Sequence, residues 1–163
     1  MSREDRYRAV FRAHYADVLA FVRRRYPGDA EAVVAETFTT LWRRFDQAPV
    51  AAEDVRAWLF TTARNTLLNA RRADRRRDAL GVRVTETLPD DVPWEPDRTA
   101  ERLDLARAWN ALPEDAQEAL ALSLFDGLAS AQAADVLGIR AEAYRARLSR
   151  ARRALANLME VSR

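Results

Sequence analysis

Apolar residues recur at steps of three and four in seven stretches of the chain, and no stretch sustains the two-residue alternation of a strand. The pattern predicts helices over about 4–26, 30–46, 54–78, 99–111, 113–126, 130–137 and 141–160. Gly28, Gly81, Gly127 and Gly138 fall where a periodic segment stops. Pro27 and Pro49 punctuate the first half, Pro89, Pro93 and Pro96 cluster in the middle, and Pro113 suits the first turn of a helix. The expected fold class is all-α.

The last two predicted helices carry the strongest signal. In the first, Ala133, Ala134 and Leu137 form an inward face, and Gly138 can adopt the positive φ that ends a helix without Cβ strain. The second has an apolar stripe of Tyr144, Leu148, Ala151, Leu155 and Leu158, while Arg145, Ser149, Arg150 and Arg153 project from other faces. A helix pinned on one side and cationic elsewhere suits a major groove, where arginine reads guanine edges and grips phosphates. Ordinary solvation of an exposed helix is the competing reading. Sign purity argues against it: from Arg140 onward seven arginines face only Glu142 and Glu160.

Two earlier helices add further surfaces. In the stretch from Asp29, Val33, Val34, Thr37, Phe38, Leu41, Trp42 and Phe45 make a wide inward face, and Asp29 is a good N-cap. Its other side is a stripe of Ala32, Ala35, Glu36, Thr39 and Arg43, which fits either an interface for another helix or plain solvent exposure. The helix from Val55 packs through Val55, Trp58, Leu59, Thr62, Ala63, Thr66 and Ala70. It ends in Arg71, Arg72, Arg75, Arg76 and Arg77, opposed by Asp74, with Asn65 and Asn69 one turn apart. Arginine supplies phosphate affinity and asparagine can both donate to and accept from a base edge. Complementing the negative end of the helix dipole accounts for some of these arginines, but five in seven residues exceed that need.

Charge follows the same organisation. The net of +2 divides into +6 over residues 1–77, −5 over 78–104 and +1 over 105–163. Residues 80–99, rich in proline and acids and without helical period, predict a flexible acidic linker between two small helical domains, 1–79 and 100–163, in which Trp94 either packs on a domain or, the favoured reading, marks a docking point. A hydrophobic content of 48% in 163 residues is ample for packed cores. All 27 cationic residues are arginine, as a GC-rich coding sequence would also produce, so not every one is assigned a role. Cysteine is absent, which excludes disulfides and thiolate metal sites, and the lone His14 reads as a boundary packing residue. No metal or other cofactor is expected. With no signal peptide and no apolar run long enough to cross a bilayer, the expected location is the cytoplasm.

Together these motifs resemble the extracytoplasmic function sigma factors of bacterial RNA polymerase, in the sigma-70 family. The stretches DAEAVVAETFTTLWRRF and VRAWLFTTARNTLLNARRADRRR look like the domain that binds core polymerase and the -10 element, sigma-70 region 2. The stretch LPEDAQEALALSLFDGLASAQAADVLGIRAEAYRARLSRARRAL looks like the helix-turn-helix domain that binds the -35 element, region 4. The resemblance implies that Ala32, Ala35, Glu36, Thr39 and Arg43 meet the clamp coiled coil of the largest polymerase subunit. It implies that Phe60 and Asn65 help hold a base flipped from the non-template strand, that Arg64, Asn69 and Arg71 support adjoining DNA, and that Gln47 and Pro49 in the intervening loop belong to the specificity pocket. For the upstream element it points to Arg145, Ser149, Arg150 and Arg153, with Arg147 positioned on phosphate. The further partners implied are the polymerase flap, promoter DNA and an anti-sigma factor. The chain departs from the family where an acid is common at Ala32 and a glutamine or acid at Ala35, where an aliphatic residue is usual at Ala133, and where a small β-branched pair is usual at Ala143 and Tyr144.

The expected function is therefore promoter recognition and duplex opening in transcription initiation, without a catalytic residue. An autonomous helix-turn-helix regulator is the alternative, favoured by symmetric dimerisation, for which no dimer helix is evident. A helical adaptor that binds only protein would show no salt-dependent DNA binding. A helical enzyme is disfavoured by the absence of a phosphate-binding glycine loop and of a distinct paired-carboxylate motif.

Overall fold

The structure, a computed structural model, describes residues 1–49, 51–79 and 99–161. Its α-helices are α1 (Arg3–Arg23), α2 (Ala30–Arg43), α3 (Ala52–Ala79), α4 (Thr99–Ala111), α5 (Glu114–Leu124), α6 (Ser130–Leu137) and α7 (Ala141–Val161), with a 3-10 turn at Phe45–Gln47. No strand occurs among the described residues. The predicted linker, including Trp94, lies almost wholly outside them.

Local chemistry sets the helix ends. Ser2 and Asp5 form a capping box, the Ser2 hydroxyl accepting from the Asp5 amide at 3.0 Å and the Asp5 carboxylate accepting from the Ser2 amide at 3.2 Å. Asp29 caps α2 as expected, accepting from the Ala32 amide at 2.9 Å. Helix α1 stops at Arg23, short of the predicted end. There the buried Tyr26 turns its ring over Gly28, where a Cβ would come within 2.5 Å of the ring. The Tyr26 hydroxyl donates to Asp74 of α3 at 2.5 Å. Helix α2 likewise ends at Arg43, and the residues expected to extend it tighten into the 3-10 turn. Pro113 occupies the N-cap of α5 with extended ψ of 149°, just outside the first turn.

Helices α1, α2 and α3 pack around Phe21, Val34, Phe38, Leu41, Leu59 and Phe60, all buried. Phe21 and Phe60 stack with ring centroids 4.7 Å apart. Of the positions expected to pack on α3, Val55, Leu59 and Ala63 are buried, whereas Trp58, Thr62, Thr66 and Ala70 are half-buried. Ala57, Phe60 and Leu67 are buried as well, because α3 packs against both the N-terminal helices and α6. Helices α4 to α7 enclose Leu120, Leu122, Ala133, Ala134, Val136, Tyr144, Leu148 and Ala151. Val136 takes the buried place expected of Leu137, which is half-buried. Leu155 and Leu158 also lie half-buried towards the end of α7.

The α6–α7 turn depends on Gly138, at φ 67° and ψ 34°. The Ile139 amide closes the wider hydrogen-bonded ring onto the Ala134 carbonyl at 3.0 Å, sealing the end of α6. A Cβ at Gly138 would meet no neighbour, so its cost is backbone strain alone. Gly138→Ala is expected to lower stability by about 1–2 kcal/mol, read from urea unfolding, with native helix content retained.

Candidate nucleic-acid interface

Helix α7 is held from behind by Tyr144. Its side chain is fully buried and its hydroxyl donates to the Ala119 carbonyl of α5 at 2.9 Å. Burial raises the pKa of the phenol, which therefore stays a donor at neutral pH. The departure from the family pattern at Ala143 and Tyr144 is accommodated by leaving Ala143 exposed and driving the tyrosine into the core. Leu148 and Ala151 extend the buried stripe, so the opposite faces are fixed in direction.

Arg145, Ser149, Arg150 and Arg153 are all exposed on α7. Arg145 is lightly engaged by Glu142 one turn back, at 3.2 Å. Such a surface pair contributes at most about 1 kcal/mol and yields readily to a phosphate. Arg147 behaves differently: it is half-buried and lies 3.9 Å from Asp115 of α5. In this arrangement it faces the neighbouring helix, away from the group formed by the other four.

The residues expected to meet the -10 element divide into two sets. Asn65 and Asn69 are exposed one turn apart on α3, with Asn69 accepting from Arg72 at 3.1 Å. Gln47 is exposed and Pro49 half-buried in the loop before α3. Phe60, by contrast, has no exposed surface: Phe21 covers one face and the Arg56 guanidinium lies 4.8 Å from the ring centroid. It cannot meet a base in this arrangement. Arg64 and Arg71 are turned towards α5, where Arg64 makes a bidentate pair with Glu118 at 2.7 and 3.2 Å and Arg71 pairs with Glu114 at 3.3 Å. Arg71 also donates to the Arg25 carbonyl.

The stripe on α2 is intact. Ala32, Ala35, Glu36 and Arg43 are exposed, Thr39 is half-buried with its hydroxyl on the Ala35 carbonyl at 2.8 Å, and Arg43 lies 3.7 Å from Glu36. Trp42, expected to face inward, is instead 38% exposed beside this stripe. Tyr7 packs edge-on against it at 5.1 Å and Arg3 covers its ring at 4.8 Å.

Sequence reasoning missed Asp126. Its carboxylate has no exposed surface and accepts from Arg24 at 2.5 Å and Arg25 at 2.6 Å, while its carbonyl accepts from Arg56 at 2.6 Å. Burial lowers the pKa of the Arg25 guanidinium and Asp126 opposes that shift. An acid directly before a glycine is an ordinary loop pattern, and nothing local to it indicates partners about a hundred residues away. The lone His14 is half-buried, as expected for a boundary residue, and burial lowers its pKa. Among the described residues no group of His, Asp or Glu is arranged to hold a metal, and no helix is long and apolar enough to cross a membrane.

Comparison with known proteins gives the family of each half of the chain. Residues 10–77 match the family described as Sigma-70 region 2, and residues 102–155 match Sigma-70, region 4. The sigma factor SigL of Mycobacterium tuberculosis is 34% identical over 154 residues, spanning 90% of this chain and 87% of its own. CnrH of Cupriavidus metallidurans is 29% identical over 142 residues, 81% of this chain and 74% of its own. Among solved structures, the sigma factor RpoE from Bartonella quintana, in complex with the anti-sigma factor NepR, superposes with a TM-score of 0.65 at 26% identity over 98% of both chains. The chain belongs to the extracytoplasmic function sigma factors of the sigma-70 family. It is an RNA polymerase sigma factor of transcription initiation.

Because Tyr144 fixes the angle of α7 on α5, Tyr144→Phe is expected to reduce stability by about 1 kcal/mol. Amide exchange along α7 should accelerate in the same variant, whereas a hydroxyl of no consequence would leave both measurements unchanged.

Proposed function

We propose that the chain works as two DNA-binding units on core polymerase: residues 1–79 engage the clamp and the -10 element, residues 100–163 engage the flap and the -35 element, and 80–99 link them. The observation that carries this reading is the exposed group Arg145, Ser149, Arg150 and Arg153 on a helix whose other side is locked by Tyr144, Leu148 and Ala151. That is the geometry by which a recognition helix enters a major groove. Ala32, Ala35, Glu36, Thr39 and Arg43 present a low-relief surface on which another helix can lie closely, with Glu36 and Arg43 supplying charge. Exposure of Asn65 and Asn69 one turn apart supports contact with an unstacked strand, and Gln47 and Pro49 lie in the loop that precedes the same helix.

Opening of the duplex needs no catalytic group. Capture of an extruded base offsets an unstacking cost on the order of a few kcal/mol, so the chain acts by binding and is not an enzyme. Polymerase and DNA as partners place it in the cytoplasm. The complex of RpoE with NepR supports an anti-sigma factor as a further partner.

Arg145→Ala and Arg153→Ala are each expected to weaken binding to duplex carrying the -35 element, by about 1–3 kcal/mol for whichever makes a bidentate base contact. Unchanged affinity in both variants, at matched salt, would remove the assignment of this face.

Core polymerase should raise both the affinity and the specificity of the chain for promoter DNA, because it holds in place two small units whose ordering on DNA otherwise costs entropy. Within that complex Asn65→Ala should impair strand opening, read by permanganate reactivity of thymines, more than initial binding read by filter retention. Tight sequence-specific binding by the isolated chain, with no gain from core and no opened thymines, would instead establish an autonomous regulator.

A further inference from the structure

We propose that the start of α1 and the end of α2 form a stacking platform for single-stranded promoter DNA, which takes the unpaired non-template nucleotides on the transcription-start side of the captured base; the inference rests on the assignment of Gln47 and Pro49 to the -10 pocket. Among the described residues of α1 to α3, Phe11 and Trp42 are, apart from Met1, the large apolar side chains left exposed, at 37% and 38%. They are not isolated. Tyr7 links them, its ring centroid 6.3 Å from that of Phe11 and 5.1 Å from that of Trp42, and Phe45 lies 6.1 Å from Tyr7. A lone exposed apolar residue is ordinary on a protein surface, whereas a contiguous band of rings marks a contact surface.

Cations border the band. Arg3 lies 4.8 Å from the centroid of Trp42 and Arg6 5.5 Å from that of Phe45, while Tyr7, Arg8, Phe11 and Arg12 line a depression of about 220 Å³. Glu4 and Asp5 each lie 3.9 Å from Arg8, and Arg6 and Arg12 pair with no carboxylate among the described residues. Rings interleaved with guanidiniums suit a single strand, because every base has a π-face and every linkage a phosphate. Position favours the same occupant. Arg3 donates to the Trp42 carbonyl at 2.6 Å and lies 3.6 Å from Asp46, which holds the start of α1 against the turn that carries Gln47. The band therefore abuts the loop assigned to the pocket, and with α3 taking the upstream side, it is left to the nucleotides downstream. The nine residues from Arg3 to Arg12 span about 14 Å of helix, room for about four nucleotides stacked at 3.4 Å. Stacking there replaces part of what each base loses on leaving the duplex. Trp42 also borders the α2 stripe proposed for the clamp, so a polymerase contact is the outcome that the test must separate.

The test uses the full chain with core polymerase on the promoter DNA of the permanganate assay, 5-iodouracil replacing single thymines of the non-template strand. Irradiation should cross-link Phe11 or Trp42, identified by peptide mass, to opened thymines downstream of the captured base. A fluorescein-labelled twenty-nucleotide dT strand then probes the full chain alone. Phe11→Leu with Trp42→Leu keeps apolar bulk but removes the rings, and should weaken dT binding at least about fivefold, whereas Phe11→Tyr keeps a ring and should stay within about twofold. Arg6→Gln with Arg12→Gln should reduce the slope of log affinity against log salt by about 1.4, as for two phosphates of a single strand. Affinity for core polymerase should be unchanged in all three. The cross-links are read on the unsubstituted chain, so they decide the matter even where the leucine variant does not fold. Cross-links that never include Phe11 or Trp42 would overturn the proposal, as would loss of core affinity with dT binding intact, which would make the band a polymerase contact. Failure of the underlying assignment has a different signature: Gln47→Ala would then leave strand opening at the promoter unaffected, with dT binding to the band intact.

Discussion

Asp126 is the point on which the arrangement of the whole chain depends. A carboxylate without exposed surface is tolerable only if its charge is answered at close range, and Arg24 and Arg25 answer it from the end of α1. Arg25 is itself 10% exposed, lies 3.7 Å from the centroid of Phe21 and donates to the Phe21 carbonyl at 3.1 Å. Removing Asp126 would leave the buried Arg25 without a carboxylate partner; breaking such a pair costs about 3–5 kcal/mol. The pair joins the end of α1 to the turn between α5 and α6, so it determines which residues of α3 meet the C-terminal helices.

From that anchor two kinds of rigidity follow. On the C-terminal side, Tyr144 and the sealed turn at Gly138 hold α7 by buried, neutral contacts that salt does not weaken. A reading helix requires this, since base discrimination depends on side chains held within a fraction of an ångström of their targets. Across the junction, by contrast, α3 adds to its packing on α6 a set of ion pairs to α5 that border a cavity. The joints that hold α7 are neutral, whereas α1 and α3 meet the C-terminal helices partly through ion pairs.

The same distinction explains what was legible in the sequence. Helix positions follow from apolar periodicity and from Asp29, Gly138 and the prolines, and the exposed arginines of α7 follow from the stripe opposite them, because all of these are local properties. The misplaced ends of α1 and α2 come from tertiary contacts: Tyr26 reaching Asp74, and the tightening at Phe45. Burial of Phe60, the engagement of Arg64 and Arg71, and the role of Asp126 were illegible for a stronger reason. Each is decided by a partner between 39 and 102 positions away, and an arginine on a helix face reads identically whether a phosphate or a distant glutamate faces it.

Arginine itself makes that ambiguity possible. Every cationic residue of this chain is arginine, and a guanidinium offers carboxylate and phosphate the same planar fork, without the strong hydration that a lysine ammonium must shed at each transfer. Screening does not by itself decide between the two partners. At physiological ionic strength the Debye length is about 8 Å, and the partly exposed pairs of Arg64 and Arg71 weaken together with any contact those residues make to DNA. Asp126 is insulated from that screening by burial, so its hold on the end of α1 does not weaken as theirs does.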